Sequence, residues 1–193
     1  LFVELTEQTL GLLGLLFGMI IKKFNFKKYY MYRFILVLLS LLSSMMLFSE
    51  DFKREVIKFE DYEKIIDKKD DTLYVVNFWA SWCGPCVEEL PDFMAVNDAM
   101  KGREDFKMIL ISLDEKEKLD KELMLFIEKH GLAVDIYILD ELRRMNYWIP
   151  RVDKKWKGSI PATVFYRNGK KLHFVEKPLH QDELQAIVDK LLE

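Results

Sequence analysis

Hydrophobic positions follow two different patterns along this chain. Residues 34–48 form an unbroken uncharged run, FILVLLSLLSSMMLF, directly after the basic and aromatic stretch Lys27-Lys28-Tyr29-Tyr30-Met31-Tyr32-Arg33. Charge followed by an apolar run is the n-region and h-region order of a secretory signal. As a helix at roughly 1.5 Å per residue the run reaches about 22 Å, short of the ~30 Å hydrocarbon core, which favours a signal peptide over a full span. A retained membrane anchor is the alternative, since no A-x-A cleavage site follows, although Ser43, Ser44 and Ser49 are small. A second apolar run, residues 10–21, ends at Lys22 and Lys23 and is also short for a span. Because Met31 heads a complete signal-like segment, residues 1–30 are read as upstream of the true start. A second membrane segment and a soluble amphipathic extension are the rival readings. The predicted organisation is an N-terminal segment, residues 1–49, and a folded domain, residues 50–193.

From residue 50 onward the apolar positions alternate between strand and helix periods. Residues 56–59 predict a short strand, and residues 60–68 a helix with Tyr62, Ile65 and Ile66 on one face, before the polar break Lys69-Asp70-Asp71. Residues 73–80, LYVVNFWA, are continuously apolar or aromatic, as in a strand covered on both faces. A helix follows from Cys83-Gly84-Pro85-Cys86 to about residue 100, with Val87, Leu90, Phe93, Met94 and Asn97 marking its turns and Pro91 expected to kink it. Residues 106–113 predict a strand, residues 119–129 a helix closed by His130-Gly131, and residues 136–139 a further strand. Residues 162–167 and 171–175 flank Asn168-Gly169, a two-residue hairpin signal. Leu184, Ile187, Val188, Leu191 and Leu192 make the apolar stripe of a last helix. The order predicts an α/β fold with a central mixed sheet, helices on both faces, and a C-terminal β-hairpin plus helix.

Composition narrows the function classes. Half of the 193 residues are hydrophobic, enough for one ordinary core, and net charge is −3 with no long basic block, which argues against a nucleic-acid partner. Residues 50–193 alone carry 24 basic and 30 acidic side chains, a net of −6. The two cysteines, Cys83 and Cys86, are too few for a disulfide-stapled scaffold and must act as one local pair.

That pair follows a buried strand and opens a helix. Residues three apart on a helix share a face and can close a small disulfide ring. At the helix N-terminus Cys83 meets unsatisfied N–H groups and the positive end of the dipole, which favour thiolate over thiol. Cys86, one turn inside, is expected to be shielded and to act second. A structural zinc site would need four ligands, yet there is no second cysteine pair, and His130, His173 and His180 lie on unrelated elements. A c-type haem attachment would need a histidine where Val87 stands. A coincidental pair in a core helix fits poorly with Gly84-Pro85, which suits a turn-to-helix entry. No metal, flavin or nucleotide cofactor is predicted.

The stretch from Val75 to Cys86, Glu88-Glu89-Leu90-Pro91 behind it, and Ser159-Ile160-Pro161-Ala162-Thr163 later resemble the thioredoxin superfamily. The resemblance covers residues 55–193 and is strongest to the exported thiol:disulfide oxidoreductases of the TlpA and ResA type. It implies a thioredoxin fold in which Cys83 is the attacking thiol, Cys86 the resolving one, and Trp82, Gly84 and Pro85 shape the active site. It implies that Pro161 is the family's cis-proline, lacking an N–H that would compete for the thiolate, and that the backbone of Ile160 pairs with an extended substrate. Cytosolic-type thioredoxins carry a buried Asp where this chain has Asn77, which cannot exchange a proton, and Leu110 stands where they have a Lys. The resemblance offers Glu89, three residues after Cys86, as the replacement; partial burial would raise its pKa and let it relay the proton of Cys86. A solvated helix glutamate is the alternative for Glu89, and the expectation for Glu88.

Residues 140–159 are longer than a plain connection and rich in Tyr147, Trp148, Trp156 and basic side chains. Either they shape a partner-specific surface or Trp148 and Ile149 cover the sheet edge. The function expected is reduction of disulfides in exported proteins, in the periplasm or at the outer face of the cytoplasmic membrane. Apocytochrome c is among the substrates the resemblance implies, and a membrane-bound thiol protein is the electron donor. A disulfide-forming oxidase, a thiol peroxidase and a non-catalytic adaptor are the alternatives.

Overall fold

The computed structural model describes residues 28–40 and 52–193, and the chain divides into two units, Leu1–Asp51 and Phe52–Glu193. In the first unit residues 28–40 are helical with exposed side chains. The apolar run at residues 10–21 and residues 41–48 of the signal-like stretch lie outside the described residues. Among the described residues no helix is long and apolar enough to cross a membrane.

The second unit is built on a six-stranded sheet. Its strands are β1 (Arg54–Ile57), β2 (Leu73–Trp79), β3 (Phe106–Ser112), β4 (Asp135–Leu139), β5 (Ala162–Arg167) and β6 (Lys170–Val175), in the spatial order β1-β4-β3-β2-β5-β6. The first four run parallel, whereas β5 is antiparallel to β2 and β6 to β5. All seven residues of β2 are buried, as the continuous apolar run requires of a parallel strand covered on both faces. The β5–β6 turn has Asn168 and Gly169 at φ 54° and 65°, the left-handed pair that a two-residue hairpin demands. The helices are α1 (Phe59–Ile66), α2 (Gly84–Ala99), α3 (Met124–Lys129), α4 (Met145–Val152) and α5 (Gln181–Leu192).

One predicted element differs in form. The helix expected over residues 119–129 is a π-helical turn, Leu119–Leu123, running into the short α3, with a 3₁₀ turn, Lys116–Lys118, ahead of it. Pro91 sits inside α2, which continues through it to Ala99. The larger departure is α4. The Trp148 ring is fully buried and stacks on Phe78 of β2 at 5.9 Å, with Phe59 at 6.2 Å, while its Nε1 donates to the Glu141 carbonyl at 3.0 Å. Trp156 packs on the same Phe78 at 4.8 Å. The two tryptophans of this connection therefore cover the face of an interior strand rather than the sheet edge. An eight-residue helix with Pro150 two places from its end has little periodicity of its own, and it is held by this tertiary packing.

The topology decides where chemistry can gather. In a parallel set the carboxyl ends of neighbouring strands lie at one sheet edge, and an antiparallel neighbour begins there. Residues following β2 and β3 therefore meet residues preceding β5: Phe78 pairs with Ala162, and the Leu113 N–H donates to the Trp79 carbonyl at 2.8 Å. Truncating Trp148 to Ala is expected to destabilise this unit by about 3–5 kcal/mol, as for a large buried aromatic ring. Urea unfolding should show the shift in midpoint with an unchanged slope.

Candidate active site

Four residues link Trp79, the last of β2, to α2. Ala80 and Ser81 are fixed before the first cysteine is reached. The buried Asp114, just past β3, accepts the Ser81 N–H at 2.9 Å and the Ser81 hydroxyl at 2.7 Å. Ser112 braces the same carboxylate, its Oγ donating to Asp114 Oδ2 at 2.8 Å and accepting the Asp114 N–H at 3.0 Å. Cys83 is the N-cap of α2, and its N–H closes the turn on the Ala80 carbonyl at 3.1 Å. Gly84 and Pro85 are the first residues of the helix, where a missing proline N–H leaves no carbonyl unpaired.

Cys83 and Cys86 are joined in a disulfide with Cα atoms 5.3 Å apart. Cys83 retains 7% exposure and Cys86 none, whereas Trp82 beside them is 64% exposed. No acidic side chain occupies the first turn of α2, so the positive end of its dipole faces Cys83 uncompensated from within the helix. Across the sheet edge the Ile160–Pro161 peptide is cis, and the Ile160 carbonyl oxygen lies 3.8 Å from Cys83 Sγ. In the disulfide that contact is van der Waals; with a proton on the sulfur it becomes a weak S–H donor to the carbonyl.

Glu89, one helical turn beyond Cys86, is 1% exposed, which removes the solvated alternative, while Glu88 is exposed. Its Oε1 accepts from Asn77 Nδ2 at 2.7 Å and its Oε2 from the Leu179 N–H at 2.8 Å. Asn77 also donates to Thr163 Oγ1 at 3.1 Å, so β2, α2, β5 and the approach to α5 meet on this carboxyl group. Burial pushes the Glu89 pKa up to about 7; the hydrogen bonds from Leu179 and Asn77 pull the other way without cancelling it. Leu110, opposite Asn77 on β3, is fully buried and apolar, and so contributes no charge here.

Cys83, Cys86, Trp82, Gly84, Pro85, Ile160 and Pro161 thus share one end of the sheet, with Glu89 deeper on the Cys86 face of α2. Two contributors had no clear mark in the sequence. Asp114 opens the charged stretch Asp114-Glu115-Lys116-Glu117 after an apolar strand, a polar break that could have drawn attention, but its partner Ser81 is a strand away. Leu179 contributes only its backbone, which no side-chain pattern reveals.

A redox-active Cys-x-x-Cys disulfide on this scaffold defines a thiol:disulfide oxidoreductase. The thioredoxin family model matches residues 53–125. Thioredoxin-1 of Caenorhabditis elegans is 30% identical over 104 residues, 49% of this chain and 88% of that one. Sporulation thiol-disulfide oxidoreductase A of Bacillus subtilis is 31% identical over 64 residues, 33% of this chain and 38% of the relative. Among solved structures, a thiol:disulfide interchange protein from Chlorobium tepidum superposes with TM-score 0.54 at 22% identity, over 64% of this chain and 82% of its own. A thioredoxin-related protein from Neisseria meningitidis gives 0.52 at 22%, over 64% and 86%. The chain belongs to the thioredoxin family.

The raised pKa of Glu89 makes stability depend on pH. The unfolded carboxyl ionises near its ordinary 4.5 and the folded one near about 7, so between them the folded state holds a proton that the unfolded chain has released. Stability is therefore full below the lower value and falls as pH rises through the upper, by about 3 kcal/mol. Urea unfolding of the oxidised parent and of Glu89→Gln across this window measures it: the difference between the two should slope with pH, and a flat difference would count against the raised value.

Proposed function

We propose that this chain is an extracytoplasmic reductase of protein disulfides. The observation that supports it most is the graded arrangement of the site, with the Ile160 carbonyl beside a Cys83 that keeps a sliver of exposure, then the fully buried Cys86, and a buried carboxyl group with pKa about 7 behind. In the dithiol form the Cys83 thiolate, stabilised by the N-terminus of α2, attacks a substrate sulfur. The substrate S–S bond breaks, and one substrate thiolate leaves and takes a proton from solvent. Glu89 in its carboxylate form then accepts the Cys86 proton, directly or through one water. The Cys86 thiolate attacks Cys83 Sγ, the second substrate thiolate leaves, and the Cys83–Cys86 disulfide forms. Two electrons have passed to the substrate, and a membrane-bound thiol donor returns them by the same exchanges in reverse.

Other residues of the site orient this chemistry. The backbone at Ile160 pairs with an extended substrate segment, Pro161 adds no N–H beside the thiolate, and Trp82, Gly84 and Pro85 shape the rim. Gly-Pro between the cysteines is the dipeptide of the reducing members, which supports reduction over oxidation. The basic stretch followed by the apolar run at residues 34–48 supports action outside the cytoplasm. Exported disulfide proteins, apocytochrome c among them, are the substrates.

Insulin reduction by the pre-reduced full chain tests the activity, and a Cys86→Ala variant should accumulate mixed disulfides with its partners. Absence of both results would sink the reading. Glu89→Gln should slow release of the mixed disulfide by about ten to a hundredfold while changing the first attack less. In the parent, release should quicken as pH rises through about 7, because the carboxylate is the accepting form. Stopped-flow kinetics separate the steps; equal rates for parent and variant across about pH 5–8 would mean that water carries the proton.

A further inference from the structure

The loop that delivers Ile160 to the cysteines carries a charge that the thiol chemistry does not use. From the end of α4 it reads Asp153-Lys154-Lys155-Trp156-Lys157-Gly158-Ser159-Ile160. Its ring and its acceptors are committed to the protein side. Trp156 is buried and donates from Nε1 to the Ser159 carbonyl at 2.8 Å. Asp153, also buried, accepts the Lys155 N–H at 2.7 Å and pairs with Lys171. Glu176, just past β6, accepts through Oε1 both the Lys157 N–H at 3.0 Å and the Ser159 N–H at 3.1 Å. The loop is thereby pinned at both ends and at its centre.

What faces solvent is the set Lys154, Lys155 and Lys157. All three are exposed, and among the described residues none forms an ion pair, although Lys155 acts on Asp153 at longer range. The two carboxylates that touch the loop are already engaged, Asp153 by the Lys155 N–H and by Lys171, and Glu176 by two backbone N–H groups. Lys157 is three residues from Ile160, so their Cα atoms are at most about 11 Å apart, close to the Debye length of about 10 Å at 0.1 M salt and well within it at low salt.

We propose that this loop is a cationic docking rim, and that the substrates present acidic side chains on the segment beside their reactive disulfide. The inference rests on the reductase reading above and names its substrate class. Main-chain pairing at Ile160 is blind to sequence, so discrimination between substrates falls to side chains next to that backbone. A pinned loop presents its charges with little backbone ordering penalty on binding. Charge complementarity speeds encounter and suppresses wrong partners. The contrast with the rest of the domain sharpens this: residues 50–193 carry a net charge of −6, so an acidic segment is repelled by the body of the domain and attracted at the rim, which orients it toward Cys83.

The test uses the reduced full chain in non-ionic detergent with three synthetic peptides, each closed by one disulfide and alike except for three Glu, three Gln or three Lys beside it. Each reduction opens the peptide disulfide to a dithiol and closes Cys83–Cys86. At low salt the Glu peptide should react about tenfold faster than the Gln peptide and the Lys peptide slower than both, with the differences shrinking as salt is added. In K154Q/K155Q/K157Q the ratio of Glu to Gln peptide should fall to within about twofold, and K154E/K155E/K157E should favour the Lys peptide. Equal rates for all three peptides with the parent, or a preference that survives the triple Gln change, overturns the rim while leaving the reductase standing. Failure of the parent to reduce any of the peptides overturns the reductase reading and the rim together.

Discussion

Everything at the site hangs on β2. It is the strand flanked by a parallel neighbour on one side and an antiparallel one on the other. The parallel side sets the ends of β2 and β3 next to each other, so Asp114 can hold Ser81. The antiparallel side starts β5 at the same edge, so Ile160 and Pro161 face the cysteines. One residue further inside, Asn77 of β2 reaches both Glu89 and Thr163. Complete burial of the strand makes this arrangement rigid, because every side chain on both faces is packed, and a shift in register would exchange the two faces.

A buried carboxyl group is an expensive thing to keep, and here its partners are chosen to moderate the expense without abolishing it. Two N–H donors, from Asn77 and Leu179, stabilise the charged form; desolvation favours the neutral form and wins, leaving the group poised near neutral pH. With an amide rather than a second carboxylate at position 77, Glu89 shares no proton across that contact, and the charge of Asp92 adds only a smaller upward push on top of burial. Asn77 donates from Nδ2 to both Glu89 and Thr163, while its buried amide oxygen meets no hydrogen-bond partner among the described residues.

Much of this was legible in the residues because it is local. The cysteine spacing, the proline after Gly84, the continuous apolar run of β2 and the Asn168-Gly169 turn are all decided within a few positions, and each appears where its local chemistry puts it. The i, i+3 spacing placed Glu89 on the face of Cys86, but its burial depends on a backbone N–H 90 residues away, to which no periodicity points. The same holds for α4. Its short apolar stripe and Pro150 read as connection, and only the stacking of Trp148 on Phe78 makes it a helix. Ser81 and Asp114 meet because two strands end side by side, a fact of topology rather than of composition.

The Asp114 clasp has a consequence for how the protein changes oxidation state. None of its four hydrogen bonds uses a sulfur atom. When the Cys83–Cys86 bond opens, the turn leading into α2 keeps its anchor, and the two sulfurs separate on a backbone that has no reason to move. Opening and closing that bond then asks little reorganisation of the scaffold, because the clasp that sets the turn is built from oxygen and nitrogen atoms alone.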